Sequence, residues 1–376
     1  MKICEYVPHG AVPDIRGFAP AIVAQNFAKF LKEDERYIIS NLEEYKDVFS
    51  KSEYGDVYRI GESALYRRLF RKITRLDPYP LHVRAAKIVN TRPVDIFHAH
   101  QLEFDVKDFR KRVGKNTKIA VHAHITKKFD PSLGIADCYL AVSEYLKARL
   151  IERGFDERLV HIVRNGVDTD IFKPLDEKQK NGIKLKYGID KNKKVIVFAG
   201  RKQEIKGFEV FLEVAKRLLE NRDDILVIAV GSEPISGLKD RSYLCRQKTR
   251  ETLKQNCNFL DLHALKQTEL AEIFGIADIA MLPSKSEPQG MTMIEAMSCG
   301  AIVISTATGG IKESIDNNQN GFLVDNPEDI EAYYAAVKDA LNGNFEHIRA
   351  NAREKILKTF SWEVVTQSLR EVFCKL

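Results

Sequence analysis

Two carboxylates, two cations and a glycine-led helix start are the residues of this sequence best suited to chemistry. Glu287 and Glu295 stand in the stretch PSKSEPQGMTMIEAMSCGAIVISTATGG, residues 283–310, with Gly290 between them. The segment Met291 to Ser298 reads as a helix that ends at Gly300. The first turn of a helix leaves N–H groups unpaired at the positive end of its dipole, so the amides of Met291 and Thr292 form an anion site. Carboxylates beside an anion site make sense if the ligand also carries hydroxyl groups, and a nucleotide-sugar carries both. Glu295 lies one turn in and leans back toward the helix start, suiting ribose hydroxyls. Glu287, in the loop, suits the hydroxyls of the sugar. A plain capping role is the simpler reading of either glutamate.

The cations stand in FAGRKQEIKG, residues 198–207. Gly200 lets the chain turn at a strand end, and Arg201 and Lys206 follow in the loop. Arginine offers phosphate a planar fork and lysine a point charge, a pair suited to a diphosphate whose negative charge grows as it leaves. The plain alternative is a charged surface loop. Two further pairs, His98-Ala99-His100 and His122-Ala123-His124, fall at strand ends. They raise a zinc-hydrolase reading, which is set aside because no acidic residue lies within or immediately beside either pair. A histidine that meets a substrate hydroxyl is preferred, with structural histidines as the alternative. Gly17 closes a loop, HGAVPDIRG, ahead of a helix and fits a close approach of backbone to ligand.

These residues need a scaffold that brings loops together, and the sequence supplies one. Short β-branched runs at Ile3 to Val7, Ile38 to Ser40, Ile96 to Ala99, Ile119 to His122, Tyr139 to Val142 and His161 to Val163 alternate with helical patterns such as Ala19 to Leu31 and Glu144 to Arg153. After the polar, lysine-rich stretch Leu175 to Lys194, read as a connection, a second series begins. Its strands are Val195 to Ala199, Ile225 to Val230, Asn258 to Leu260, Ile279 to Pro283, Ile302 to Ser305 and Gly321 to Val324. Its helices are Gly207 to Glu220, Thr268 to Gly275, Met291 to Ser298 and Pro327 to Leu341, with a last one at Ser361 to Cys374. This is the pattern of an α/β protein with two Rossmann-like, doubly wound parallel sheets facing a central cleft. Ligands of such sheets bind outside the carboxyl ends of the strands, where the motifs above fall.

Length and composition agree. A chain of 376 residues exceeds one ordinary core, and 44% hydrophobic with 30% charged residues is a globular balance. No apolar run approaches the length of a membrane span, and Met1 opens directly into a strand-like segment without a signal-peptide pattern, so a cytoplasmic protein is expected. The six scattered cysteines read as reduced structural thiols. The net charge of +6 is uneven: residues 61–128 hold 16 Lys/Arg against 6 Asp/Glu. Within them Leu65, Leu69, Ile73 and Leu76, with Tyr66 and Phe70 beside them, keep helical spacing among Arg67, Arg68, Arg71, Lys72 and Arg75. Such a helix can lie on an anionic membrane surface, or be a solvated face over a core stripe. Nothing accompanies the charge that would read nucleic acid.

In order and spacing the segments resemble the family 4 glycosyltransferases, retaining enzymes of the glycosyltransferase-B fold, here of a bacterial or archaeal glycan-assembly type. The matching pieces are the Gly17 loop, DIFHAH (95–100), ADCYLAVS (136–143), RNGVDTDIFKP (164–174), FAGRKQEIKG, the stretch from Gly275 to Gly310, NGFLV (320–324) and FSW (360–362). The resemblance implies a metal-independent, hexosyltransferase-type enzyme without a cofactor, whose donor is a nucleotide-diphosphate sugar such as a UDP- or GDP-sugar. It implies Arg201 and Lys206 on the diphosphate with the Met291 and Thr292 amides after Gly290. It further implies Glu287 on the donor sugar, Glu295 on ribose, Gly17 near phosphate or acceptor, and a histidine at the reacting sugar. Position before Thr126 favours His124 for that histidine, with His122 the alternative. It implies an acceptor-side domain over residues 1–172, a donor domain over 173–359, and a final helix, 360–376, returning to the first. The Pro288-Gln289 pair departs from the usual pattern where the sugar is selected. A glycan or lipid-linked acceptor in cell-surface polysaccharide, lipopolysaccharide or glycolipid assembly is expected. The alternatives are an epimerase of the same architecture and a non-catalytic sugar-nucleotide binding protein.

Overall fold

The computed structural model describes residues 1–14, 17–42, 47–61, 64–75, 80–233 and 243–376, without the side chains of 64, 67 and 243–245. Ile15 and Arg16 of the glycine loop, Leu76 of the basic helix and the Arg67 side chain therefore lie outside the described residues.

The chain divides into two compact units, one of Met1–Asn165 with Trp362–Leu376 and the other of Gly166–Ser361. The anticipated divisions at 172/173 and 359/360 thus move to 165/166 and 361/362. The stretch anticipated as a connection is part of the second unit, and it contains a helix, Glu177–Lys186, opened by a capping box between Asp176 and Gln179. That helix buries no residue, so it lacks the apolar stripe by which helices are recognised.

In the first unit the described strands are β1 (Lys2–Val7), β2 (Glu35–Asn41), β3 (Phe49–Ser52), β4 (Gly55–Ile60), β5 (Ile96–Ala99), β6 (Lys118–Ala123), β7 (Cys138–Ala141) and β8 (Val160–Ile162). Their order is β3-β4-β2-β1-β5-β6-β7-β8, parallel throughout except for the β3–β4 pair. Sequence periodicity misses β3 and β4, because β3 has no buried position and β4 carries the polar Arg59 within it. The buried Arg59 guanidinium donates twice to Val12 O, which ties this sheet edge to the loop after β1.

In the second unit β9 (Lys194–Ala199), β10 (Ile225–Val230), β11 (Phe259–Leu262), β12 (Ile279–Leu282), β13 (Ile302–Thr306) and β14 (Phe322–Val324) form a parallel sheet of order β11-β10-β9-β12-β13-β14. Every residue of β10, β12 and β13 is buried, as expected of strands covered on both faces. Each sheet reverses its winding once, between β1 and β5 and between β9 and β12. The crevice beyond the carboxyl ends of the strands at such a reversal is where doubly wound sheets take ligands. The described segments there are 8–14, 17–18 and 100–105 in one unit and 200–207 and 283–290 in the other.

The last helix, Trp362–Phe373, belongs to the first unit: Trp362, 1% exposed, meets Phe27 edge-on at 5.1 Å, and Arg370 pairs with Glu33 and Asp34. Trp362→Ala empties a large buried volume and is expected to lower stability by about 3–5 kcal/mol, read from the denaturant midpoint. A loss under about 1 kcal/mol would show that this helix does not anchor the unit.

Candidate functional site

The loop after β12 is held by two places where only glycine fits. A side chain on Gly207 (φ +67°) would begin 1.8 Å from Pro283 O, and one on Gly310 would begin 2.0 Å from Pro288 O. The Gly310 amide donates to Glu287 O at 3.0 Å. Braced from both sides, the loop delivers Gly290, itself at φ +90°, as the residue before the helix Met291–Ser298. The first amides of that helix to find acceptors are those of Met293 and Ile294, both on Gly290 O. Those of Met291 and Thr292 have no acceptor within the helix and stand at its positive end.

Lys206 and Glu287 form an ion pair across the two loops, with side chains 23% and 15% exposed. Their charges offset each other, so a ligand carrying both phosphate and hydroxyls could engage both without leaving an uncompensated charge. Arg201 is exposed, and no described residue pairs with it. Lys202, between them, behaves differently. Its ammonium is buried and bonded to Asp261 Oδ1 and Leu262 O, both at 2.7 Å, while Asp261 also takes Arg250 at 2.6 Å. Of three neighbouring cations Lys202 is buried and structural, Lys206 is paired with Glu287, and Arg201 is exposed. Sequence reasoning missed this network, since nothing adjacent in the chain links Lys202 to Asp261 and Arg250.

Glu295 is 5% exposed, and burial alone pushes its carboxyl up to about 7. No described side chain bonds to it. Gly17 sits at φ +71° in open space, but its amide donates to Asp14 Oδ2 at 2.6 Å, beside the Phe18 amide on Oδ1. The Gly17 N–H is thus already taken, and only the space around it is free for a ligand.

The first unit gathers the histidines. His98 and His100, two apart on one face of the sheet, meet His122 and His124 from the neighbouring strand. His98 Nε2 lies 3.2 Å from His122 Nδ1, and His100 Nδ1 lies 3.1 Å from His124 Nε2. His122 Nε2 donates to Val163 O at 3.3 Å. Glu5 of β1, fully buried, brings Oε2 within 2.7 Å of His100 Nε2 and 2.8 Å of His98 Nδ1. His122 is fully buried and bonded through both nitrogens, whereas His124 is only half-buried. Of the two candidates, only His124 has surface to offer. Burial pushes His98, His100 and His124 down to about 3 and His122 well below its ordinary value, so all four rings are neutral near pH 7. Nitrogens of His98, His100 and His122 come within 4.8 Å of one another, a density that could hold a metal. The hydrogen-bonded rings, however, are inclined by only 15° and 22° with centroids 5.4 and 5.2 Å apart, meeting nitrogen to nitrogen. In each pair one nitrogen carries the proton and the other accepts it, so these nitrogens are engaged with one another.

Comparison with known proteins resolves the class. Residues 179–358 match the model for glycosyl transferases group 1, and residues 16–171 match that for Glycosyltransferase Family 4. The chain belongs to the family 4 glycosyltransferases. This glycosyltransferase is 28% identical over 323 residues to the lipopolysaccharide 1,2-N-acetylglucosaminetransferase of Salmonella typhimurium, covering 84% of this chain and 83% of the relative. It is 30% identical to D-inositol 3-phosphate glycosyltransferase 2 of Catenulispora acidiphila, over 65% of this chain but only 58% of that relative. The solved glycosyltransferase of Rickettsia africae aligns over 100% of this chain and 98% of its own (TM-score 0.77, 22% identity). Anabaena HepE, in complex with UDP and glucose, aligns over 100% of both (TM-score 0.78, 17% identity). These likenesses establish two Rossmann-like domains of the glycosyltransferase-B type.

The raised Glu295 carboxyl has a consequence for stability. Between about pH 4.5 and about 7 the folded enzyme keeps a proton that the unfolded chain has lost, so this residue lowers stability as pH rises through that window. Glu295→Gln is expected to flatten the decline and to exceed the parent by roughly 3 kcal/mol above pH 7. Parallel pH series of chemical melts for parent and variant would contradict the assignment.

Proposed function

We propose that the enzyme moves a sugar from a nucleotide-diphosphate sugar to a glycan or lipid-linked acceptor in the assembly of a cell-surface polysaccharide, lipopolysaccharide or glycolipid. The observation that carries this reading is the set of groups at the winding reversal of the second sheet. In this reading Arg201, Lys206 and the Met291 and Thr292 amides supply positive charge for a diphosphate, and Glu287 and Glu295 are assigned to hydroxyl groups. The activity of the Salmonella relative and the UDP and glucose bound by HepE support the substrate class.

In the proposed reaction the acceptor hydroxyl attacks the anomeric carbon, the bond from that carbon to the diphosphate oxygen breaks, and the hydroxyl proton passes to the departing phosphate. Attack on the leaving-group face retains configuration. Arg201, Lys206 and the helix amides stabilise charge that appears only as the diphosphate leaves, which lowers the barrier. Lys206 then turns from Glu287 to phosphate, and Glu287 becomes available to accept from the sugar. Glu295, ionised, accepts from ribose. No metal is needed in this scheme, because the protein's own cations meet the leaving group.

Arg201→Ala and Lys206→Ala are each expected to lower acceptor-dependent release of nucleoside diphosphate by roughly 100-fold with the fold retained. Full activity in both variants would remove the diphosphate assignment. Release that needs no acceptor would instead favour the epimerase or binding readings.

The acceptor is proposed to lie at an anionic membrane surface. In the helix Ala64–Thr74 the residues Leu65, Leu69 and Ile73 share a face and are 66%, 51% and 81% exposed, so this stripe is not a core stripe. Arg68, Arg71, Lys72 and Arg75 are exposed alongside it. Apolar side chains flanked by cations are the surface that an anionic bilayer attracts. The enzyme should float with anionic vesicles at low salt, and Leu69→Glu with Ile73→Glu should abolish flotation without loss of fold. Failure of the parent to float would sink this assignment.

A further inference from the structure

The histidines of the first unit form two hydrogen-bonded rows that share one atom, Glu5 Oε2. One row runs from Glu5 through His98 and His122 to Val163 O, and the other from Glu5 through His100 to His124. The first row ends on a backbone carbonyl, which can only accept. His122 Nε2 must therefore carry its proton, and its neutral ring leaves Nδ1 bare. His98 then donates through Nε2 to His122 Nδ1, and His98 Nδ1 is bare in turn. That bare nitrogen lies 2.8 Å from Glu5 Oε2, poorly directed, and finds no other partner. Two lone pairs at that distance repel, so any proton held by the Glu5 carboxyl belongs on the Oε2 side facing His98.

The second row follows from the first. Whether Glu5 is ionised or holds its proton toward His98, Oε2 can only accept from His100. His100 Nε2 therefore donates to Glu5 at 2.7 Å, His100 Nδ1 accepts, and His124 Nε2 donates to it at 3.1 Å. The His124 nitrogen left over is Nδ1, to which no described residue bonds, on the one half-buried ring of the four.

We propose that Glu5, His98, His100 and His122 are positioning residues that hold His124 as its Nε2–H tautomer, so that Nδ1 accepts a hydrogen bond from a hydroxyl of a sugar ligand bound at this end of the first unit. The proton state of the half-buried ring is set by a carbonyl that it never touches, at the far end of the other row. This rests on the glycosyltransferase reading for the identity of the hydroxyl, but the tautomer itself does not. The parent histidine at 124 can only accept at Nδ1. A ring in the other tautomer could only donate there, and a hydroxyl that meets it would have to turn round.

Glu5→Gln separates these states. The amide nitrogen, placed at the shared position, satisfies the bare His98 Nδ1 but also donates to His100 Nε2. The second row then reverses, and His124 becomes Nδ1–H. The experiment is nitrogen NMR of histidine-labelled full-length enzyme, with the His124 signals identified by their loss in His124→Ala. In the parent, His124 should show protonated Nε2 and bare Nδ1, unchanged from about pH 6 to about pH 8.5. In Glu5→Gln the two should exchange, and turnover should fall roughly tenfold with less change in donor KM. A parent His124 protonated at Nδ1, or on both nitrogens, overturns the proposal even if the variant fails to fold. So does a folded Glu5→Gln whose His124 keeps the parent tautomer. Undiminished turnover in His124→Ala would remove the sugar contact while the spectra still decided the tautomer. Loss of turnover in Lys206→Ala alone, by contrast, bears only on the diphosphate.

Discussion

The candidate donor site depends on backbone coming closer to backbone than any side chain would permit. Pro283 O and Pro288 O occupy the positions where side chains at 207 and 310 would begin, and the Gly310 amide holds Glu287 O. These approaches fix the loop after β12 between the starts of two helices, Phe208–Asn221 and Ile311–Ser314. With the loop fixed, the first turn of the helix at Met291 is presented with its amides unpaired, and Glu287 meets Lys206. The electrostatics of the site thus follow from glycine sterics. Charges on a loose loop would lose much of their value to reorganisation when charge develops on a leaving group.

The two units solve related problems in opposite ways. In the second, charge is kept and paired: Lys206 with Glu287 near the surface, and Lys202 with Asp261 in the interior. The buried pair is shared with Arg250, whereas Arg201 is exposed and Lys206 half-buried. In the first unit four histidines and a glutamate are taken out of water, and burial keeps the rings neutral. Neutral rings in hydrogen-bonded rows carry direction in place of charge, since each ring must donate on one side and accept on the other. Phe27 and Phe373 pack against these rings and Trp362 packs against Phe27, so the returning C-terminal helix helps to seal them.

Much of this was legible in the residues themselves. The β9, β10, β12 and β13 strands read as apolar, β-branched runs because both their faces are covered, and the helix at Met291–Ser298 is announced by Gly290 and closed by Gly300. The placing of Arg201, Lys206 and Glu287 in loops after strands follows from the same alternation. What escaped were elements without that signature: β3 and β4 at a sheet edge, and the helix Glu177–Lys186, which buries nothing.

By itself the sequence determined the fold class and the chemical types at the strand ends, because hydrophobic period and glycine position are local properties of a chain. Tertiary structure alone decided which of several like residues does what. Lys202 and Lys206 are both lysines in one loop, yet Asp261 buries the first and leaves the second for a ligand. His122 and His124 are equivalent in an HAH motif, yet Val163 O and His98 use both nitrogens of one while the other keeps a nitrogen free. Glu295 is an ordinary carboxylate in the sequence, and only its burial raises its proton affinity into the neutral range. Each of these distinctions depends on desolvation and on partners far away in the chain, and neither is written in the order of neighbouring residues.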